Sequence, residues 1–79
     1  MATVTIRYFA AAREAAGEAD AAVDAASVRE LVGTVSAGRP ELARVLGISS
    51  FLLDGERVEG DAALADGAVV DVLPPFAGG

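Results

Sequence analysis

The sequence contains no cysteine and no histidine. Without thiols the chain cannot form disulfides or use a cysteine nucleophile. Without imidazoles it lacks the usual zinc ligands and the most common acid–base catalyst. Lysine is also absent, so all six basic residues are arginines and no side-chain amine is available for covalent modification. The fold must therefore rest on apolar burial, and 79 residues allow one domain with one modest core.

Long apolar runs are missing as well. The longest fall far short of a membrane span, and the N-terminus lacks a basic segment followed by a long apolar one. We therefore expect a cytoplasmic protein without a membrane partner. Acidic residues are in excess, with a formal net charge of −6. This charge argues against nucleic acid and for a basic surface on a protein partner.

The first half of the chain predicts two strands and a short helix. Residues 3–9 alternate between apolar and polar, which is typical of a half-buried strand with Val4, Ile6 and Tyr8 on its core face. Alanine-rich residues 10–16 predict a short helix that a glycine ends, and residues 18–25 predict a second, weaker strand. The opposite face of the first strand then carries Thr3, Thr5, Arg7 and Phe9.

A capping-box pattern at residues 27–30 (SVRE) predicts the start of the main helix. Behind it, four apolar residues recur at helical spacing and form one stripe: Val28, Leu31, Val32 and Val35. The helix should end near residues 38–40. Pro40 suits the first position of a short helical turn that Gly47 closes. That turn carries Leu42, Val45 and Leu46.

The second half of the chain predicts the remaining strands. Asp54-Gly55 is a strong hairpin signal between strands at residues 48–53 and 57–58. A tight turn around Leu64 then leads to a last strand at residues 68–73. The smallest arrangement that buries the helical stripe is one main helix packed on a mixed sheet of four or five strands. We therefore predict a single α+β domain over residues 1–79.

The sequence ends in VLPPFAGG at residues 72–79. Proline fixes its own φ, restricts the preceding residue and cannot donate to a β-ladder, so pairing should stop at Leu73. Residues 74–79 should then project as a stiff tail, and glycine can pass through a slot that larger residues would block. We expect this tail to deliver the Gly79 carboxylate into another protein's active site; the alternative is a frayed terminus without a role. The tail comprises Pro74, Pro75, Phe76, Ala77, Gly78 and Gly79.

Three segments, RYFAAAREAAG, DGERV and DGAVVDVLPPFAGG, together resemble the MoaD/ThiS family of ubiquitin-like sulfur carriers. The resemblance covers essentially the whole chain and is most specific to the MoaD type, the small subunit of molybdopterin synthase. It depends on an early aromatic residue, an Arg-Glu pair and a glycine, followed by Leu-Pro-Pro and a closing Gly-Gly. Phe76 departs from the aliphatic residue of the family pattern. The resemblance implies a β-grasp fold.

The resemblance also implies a chemistry centred on Gly79. In this family a MoeB-type adenylyltransferase, related to ubiquitin-activating enzymes, uses ATP to adenylate the terminal carboxylate, and sulfur then replaces AMP to give a thiocarboxylate. The tail enters a MoaE-type large subunit within a heterotetramer, which transfers the sulfur to a pterin precursor in molybdenum cofactor biosynthesis. The chain would then bind no cofactor itself and would act as a non-catalytic, sulfur-donating subunit.

Three residues are expected to contact the partner. Phe9 and Leu73 fall on the polar face of the sheet, where they would form the apolar centre of an interface. The alternative is that the two faces are inverted and both residues belong to the core. The resemblance implies that Arg13 pairs with an acidic group on the partner; the alternative is a solvated charge on a helix surface.

Other functions fit the same tail. A carrier of this kind could supply sulfur for thiamine, cysteine or tRNA thiolation. A ubiquitin-like modifier would attach the same activated glycine to lysines of target proteins. A plain binding module would leave the tail inert.

Overall fold

The computed structural model describes residues 2–75, and the strands and helices follow one another in the predicted order. Within these residues no helix is long and apolar enough to cross a membrane. The elements are β1 (Ala2–Tyr8), α1 (Ala11–Ala16), β2 (Asp20–Ala25), α2 (Val28–Ser36), α3 (Pro40–Gly47), β3 (Ser50–Leu53), β4 (Glu56–Val58) and β5 (Val69–Leu73).

The five strands form one mixed sheet in the order β2-β1-β5-β3-β4. β1 and β5 pair in parallel at its centre, with Arg7 opposite Asp71 and Tyr8 opposite Val72. The other three pairings are antiparallel. The predicted mixed sheet is therefore confirmed, and the strand that leads into the tail has a neighbour on each side.

One face of the sheet packs against the helices. Val4, Ile6 and Tyr8 of β1 are buried as predicted, and Val70 and Val72 of β5 are buried beside them. The segment from Pro40 to Gly47, predicted as a short helical turn, is an eight-residue helix that contacts both α1 and α2. The helices complete the core with Ala12, Ala16, Val28, Leu31, Val35, Leu42, Val45 and Leu46.

Local signals in the sequence place the ends of these elements. The Ser27 hydroxyl accepts a hydrogen bond from the Glu30 amide at 3.2 Å. Glu30 Oε1 in turn accepts from the amide of Ala26 at 2.8 Å, one residue earlier than in the usual capping box. In the hairpin, Asp54 and Gly55 have φ values of 48° and 90°, the left-handed pair that a type I′ turn requires.

β3 begins two residues later than the sequence predicted, at Ser50 instead of Ile48. The two intervening amides satisfy carbonyl groups at the end of α3: Ile48 donates to Val45 at 3.2 Å and Ser49 donates to Leu46 at 3.3 Å. Because these residues complete the helix end, they are not available to the ladder. The Ile48 side chain remains 51% exposed.

Candidate functional site

The ladder of β5 ends at Leu73, directly before the first proline, as predicted. Leu73 lies opposite Ser50 of β3. Pro74 is buried and Pro75 is exposed, so the chain reaches solvent at the second proline. The rest of the predicted tail, residues 76–79 with the Gly79 carboxylate, lies outside the described residues.

The face of the sheet opposite the helices is open, and it carries the predicted apolar contacts. Phe9 is 37% exposed, and Leu73 is half-buried outside the core. Tyr8 and Val72 form the last pair of the parallel ladder. Leu73 continues β5, whereas β1 ends at Tyr8, one residue earlier than predicted, and Phe9 begins the turn that follows. The predicted face assignment is confirmed, and the alternative that both residues lie in the core is wrong. Their contact with a partner remains a prediction.

Arg7 connects the exposed Phe9 to the strand that leads into the tail. Its Nε and Nη2 donate to the Asp71 carboxylate of β5 at 2.6 Å and 2.9 Å. Its guanidinium carbon lies 5.7 Å from the centroid of the Phe9 ring, within the range of a cation–π contact. The hydrogen bond to Asp71, followed by the attraction of that charge, raises the pKa of Arg7 against the opposing effect of desolvation. The strand pattern places Arg7 on the same face as Phe9, but no local signal in the sequence predicts its pairing with Asp71.

A strained turn follows Phe9. Ala10 has φ 51° and ψ −125°, and the Ala12 amide donates to the Phe9 carbonyl at 3.1 Å. These values describe the first central residue of a type II′ turn, a position that usually requires glycine. Tyr8 before the turn and Ala12 after it are both buried, which holds the alanine in this conformation. The turn therefore separates the exposed Phe9 from the core.

The structure brings two of the predicted contact residues together in one cleft beside β1. This β1-side cleft has a volume of about 200 Å³. Arg13 is exposed, and no ion pair joins it to a carboxylate among residues 2–75. Phe9 and Arg13, both predicted to contact the partner protein, thus line the same β1-side cleft. Its lining residues are Arg7, Tyr8, Phe9, Ala10, Arg13, Ala19 and Asp20.

A second cleft, which the sequence did not predict, lies beside β3 and β4. This β3-side cleft also has a volume of about 200 Å³. Ser50 connects it to the tail, because this residue pairs with Leu73. Within residues 2–75 no group of three or more carboxylates is placed to hold a metal ion. The cleft is lined by Ser49, Ser50, Phe51, Arg57, Val58, Glu59 and Gly60.

Comparison with known proteins identifies the family. A model described as the ThiS family matches residues 6–79. The chain belongs to the ThiS family. A relative from Chlamydomonas reinhardtii, the molybdopterin synthase sulfur carrier subunit, is 33% identical in an alignment of 81 positions that covers 96% of this ThiS-family chain and 98% of the relative.

Solved structures confirm that the ThiS-family chain has a ubiquitin-like β-grasp fold. A putative molybdopterin converting factor subunit 1 from Pyrococcus furiosus superposes with a TM-score of 0.84 at 25% identity, covering 96% of this chain and all of that one. Small archaeal modifier protein 1 from Methanosarcina acetivorans gives 0.85 at 27% identity, covering 100% and 98%. A complex of molybdopterin-converting factor subunits 1 and 2 from Helicobacter pylori gives 0.73 at 26% identity, covering 98% and 99%.

Proposed function

We propose that this chain is the sulfur-carrier subunit of a molybdopterin synthase and that Gly79 carries the sulfur. The observation that carries the proposal is the 33% identity, over 96% of the chain, to a molybdopterin synthase sulfur carrier subunit. The geometry of the described residues supports it. The central strand β5 leads into the tail, and Phe9 and Leu73 stand at its base.

Activation must come from another protein. A terminal carboxylate has a pKa of about 3.5, so it is ionised near neutral pH and is a poor electrophile. Attack of this carboxylate on the α-phosphorus of ATP releases pyrophosphate and gives a mixed anhydride with AMP. A sulfur nucleophile then attacks the acyl carbon, AMP leaves, and Gly79 becomes a thiocarboxylate. We assign the first step to a MoeB-type adenylyltransferase.

Transfer of the sulfur takes place in a second partner, a MoaE-type large subunit. The Helicobacter pylori complex of subunits 1 and 2 supports such a partner, and we propose a heterotetramer in the cytoplasm. The thiocarboxylate sulfur attacks a carbon of the pterin precursor, the carbon–oxygen bond to a leaving group on that carbon breaks, and the precursor is joined to Gly79 through a thioester. Hydrolysis of the acyl bond returns the carboxylate and leaves sulfur on the precursor. We assign the acid–base groups of this transfer to the large subunit, since this chain lacks histidine, the most common acid–base catalyst.

A second candidate function is covalent protein modification. The small archaeal modifier protein from Methanosarcina acetivorans, with a TM-score of 0.85, favours it. In this case the adenylated Gly79 would pass its acyl group to a lysine amine of a target protein. The two functions share the activation step and differ in the group that attacks the acyl carbon.

Intact-mass analysis separates these functions. After incubation with ATP, the adenylyltransferase and a sulfur donor, we expect one oxygen of the chain to be replaced by sulfur. A variant without Gly78 and Gly79 should gain no sulfur, and cofactor assembly by that variant would overturn the proposal. Heavier conjugates with other proteins would favour the modifier. Loss of molybdoenzyme activity on deletion, with thiamine, cysteine and tRNA thiolation intact, would identify the pathway.

A further inference from the structure

The two edges of the sheet differ in their capacity to accept another strand. β4 at one edge has three residues, whereas β2 at the other edge has six. All six residues of β2 pair with β1 in one continuous register, so no bulge interrupts the strand between Asp20 and Ala25. Proline and lysine, which often protect edge strands, are also absent from its sequence, DAAVDA. β2 is therefore the edge at which the sheet can be extended.

The hydrogen bonds of β1 show which backbone groups of β2 face outward. The Thr5 amide donates to the carbonyl of Ala68 at 2.9 Å, on the side of β1 away from β2. Thr5 lies opposite Ala22, so these two residues form a non-hydrogen-bonded pair. Because the two kinds of pair alternate along an antiparallel ladder, Asp20 and Asp24 belong to the same kind. The amide and the carbonyl of each of these three β2 residues therefore point into the free edge.

The side chains of β2 that face the helices are apolar and only partly buried. Ala21 and Val23 lie opposite the core residues Ile6 and Val4, so they share the core face of the sheet. Both pack against the rim of the core without being fully covered. A strand added to β2 would place every second side chain beside these two residues, where apolar groups fit.

The opposite face of the same edge is acidic. Asp20, Ala22 and Asp24 are all exposed, and no residue of β2 is basic. The Thr3 hydroxyl donates to Asp24 Oδ1 at 2.7 Å, and the Thr3 amide donates to Asp66 Oδ1 at 2.8 Å. These two hydrogen bonds bring a second carboxylate to the Asp24 end of the edge.

Two arginines lie near the other end of β2. Arg7 is opposite Asp20 in the ladder and Arg13 lines the same cleft, but neither forms an ion pair with Asp20 within residues 2–75. The guanidinium of Arg7 binds Asp71 instead. The charge of the edge is therefore best tested at Asp24.

This charge pattern selects the kind of strand that can pair with β2. If two copies of the chain paired through this edge in an antiparallel register centred on Ala22, Asp20 of one copy would lie opposite Asp24 of the other. Like charges directly opposite each other are destabilising, whereas opposite charges stabilise a cross-strand pair. The edge therefore disfavours a second copy and favours a strand with basic side chains on this face.

We propose that the free edge of β2 binds an extended segment of a partner protein, with basic residues on one face and apolar residues on the other. The segment would add a strand to the sheet and satisfy the outward backbone groups of Asp20, Ala22 and Asp24. Its apolar side chains would lie beside Ala21 and Val23, and two arginines or lysines would face the two aspartates. This site goes beyond the proposed function, because it uses the sheet edge and not the tail.

A synthetic peptide with the central sequence Arg-Val-Thr-Val-Arg, blocked at both ends, tests this proposal. In a nuclear magnetic resonance titration of the full chain, we expect a dissociation constant below about 1 mM and the largest amide shifts at Asp20, Ala22 and Asp24. Methylation of the central threonine nitrogen should weaken binding by about tenfold, because that amide faces β2 in the antiparallel register. Methylation of a neighbouring valine nitrogen, which faces away, should change the affinity by less than about twofold.

Three variants of the chain test the edge itself. Asp24→Asn removes the charge and can still accept the Thr3 hydrogen bond, so the affinity should fall by about threefold at low salt and by less at high salt. Glu56→Gln, on β4 at the other edge, is the matched control and should bind like the wild type. Ala22→Pro removes an outward amide that β1 does not use, so it should abolish binding while circular dichroism shows that the sheet is retained.

Equal binding of the two methylated peptides would overturn the proposal, as would a wild-type chain that gives no shifts at millimolar peptide. Equal losses in Asp24→Asn and Glu56→Gln would also contradict it, because the attraction would then be unrelated to the edge. Dimerisation of the free chain that Ala22→Pro abolishes would make a second copy the occupant and overturn it as well. None of these outcomes affects thiocarboxylate formation at Gly79, which the intact-mass experiment tests separately.

Discussion

Arg7 and Asp71 are 64 residues apart in the sequence and form a two-point ion pair across the centre of the sheet. The pair joins β1 to β5, and the same guanidinium lies over the ring of Phe9. It therefore connects the exposed aromatic residue to the strand that leads into the tail. Arg7 is half-exposed, so its main effect should be on the position of Phe9 and only weakly on stability.

Removal of this connection should weaken partner binding. We expect Arg7→Ala to lower the affinity for the large subunit by about threefold to tenfold, because Phe9 loses the cation that lies over its ring. Titration calorimetry measures the loss, and thermal unfolding should show only a small change. Arg44→Ala removes a comparable surface ion pair with Glu41 and should leave affinity unchanged. Equal affinities for the two variants would argue against a positioning role for Arg7.

Phe9 itself should matter for binding and little for folding. Because its side chain is outside the core, Phe9→Ser should cost about 2 kcal/mol of binding free energy and leave the melting temperature nearly unchanged. Phe51, which packs against the core, is the contrasting aromatic residue. Phe51→Ser should lower the melting temperature clearly. A large stability loss in Phe9→Ser would show that the ring has a structural role.

The turn at Ala10 predicts opposite effects on stability and binding. Ala10→Gly relieves an alanine held at positive φ, so the free energy of unfolding should rise by about 1 kcal/mol after the entropy cost of glycine is subtracted. Partner affinity should fall a few-fold, because the turn that exposes Phe9 becomes less rigid.

The matched control for this prediction is Ala43→Gly, within α3. Glycine inside a helix should lower the free energy of unfolding by about 0.5–1 kcal/mol and leave binding unchanged. Urea unfolding and titration calorimetry report the two quantities. If Ala10→Gly were destabilising like the control, the turn would store no strain.

Tyr8 should control stability at alkaline pH. Its hydroxyl is buried without a hydrogen-bond partner in residues 2–75. Burial, and to a lesser extent the charge of Glu18, raise its pKa, while Arg39 opposes the shift. Because the pKa of Tyr8 is higher in the folded state, the protonated hydroxyl makes its full contribution to stability below the unfolded-state pKa of about 10. That contribution is lost as the pH rises through the folded-state pKa.

Tyr8→Phe should abolish this alkaline loss and should raise the free energy of unfolding near neutral pH by about 1 kcal/mol, because an unpaired hydroxyl leaves the core. The measurement is clean, since the chain has one tyrosine and neither lysine nor cysteine to titrate in the same range. Urea unfolding near neutral pH and above pH about 10 gives both values. An unchanged alkaline loss in the variant would assign the effect to other groups.

Local sequence signals predicted much of this fold. The alternation of Val4, Ile6 and Tyr8 predicts the buried face of β1, and Asp54-Gly55 predicts the hairpin. Each of these signals acts through neighbours a few residues away. The parallel pairing of β1 with β5 depends on residues that are far apart, and nothing near either strand encodes it. The strain at Ala10 escapes prediction because alanine normally favours helix.

The candidate site was predicted unevenly for the same reason. The faces of Phe9 and Leu73 follow from the alternation of residues 3–9 and 68–73, and the structure confirms that both lie outside the core, although Phe9 follows the end of β1. The β3-side cleft forms only where β3 and β4 meet, so no single segment of the sequence predicts that Arg57 lines it. Ile48 is exposed because its amide completes the hydrogen bonding at the end of α3. The apolar pattern of residues 48–53 predicts a strand there and gives no sign of this role.

The central pairing of β1 with β5 has a consequence during translation. A chain still emerging from the ribosome contains β1 but not yet β5. The centre of the sheet therefore cannot form until Leu73 has left the ribosome. Nascent or prematurely stopped chains should therefore remain unfolded and accessible to proteases. Among the products of one messenger, only polypeptides that extend through the strand next to the tail can acquire a stable native state.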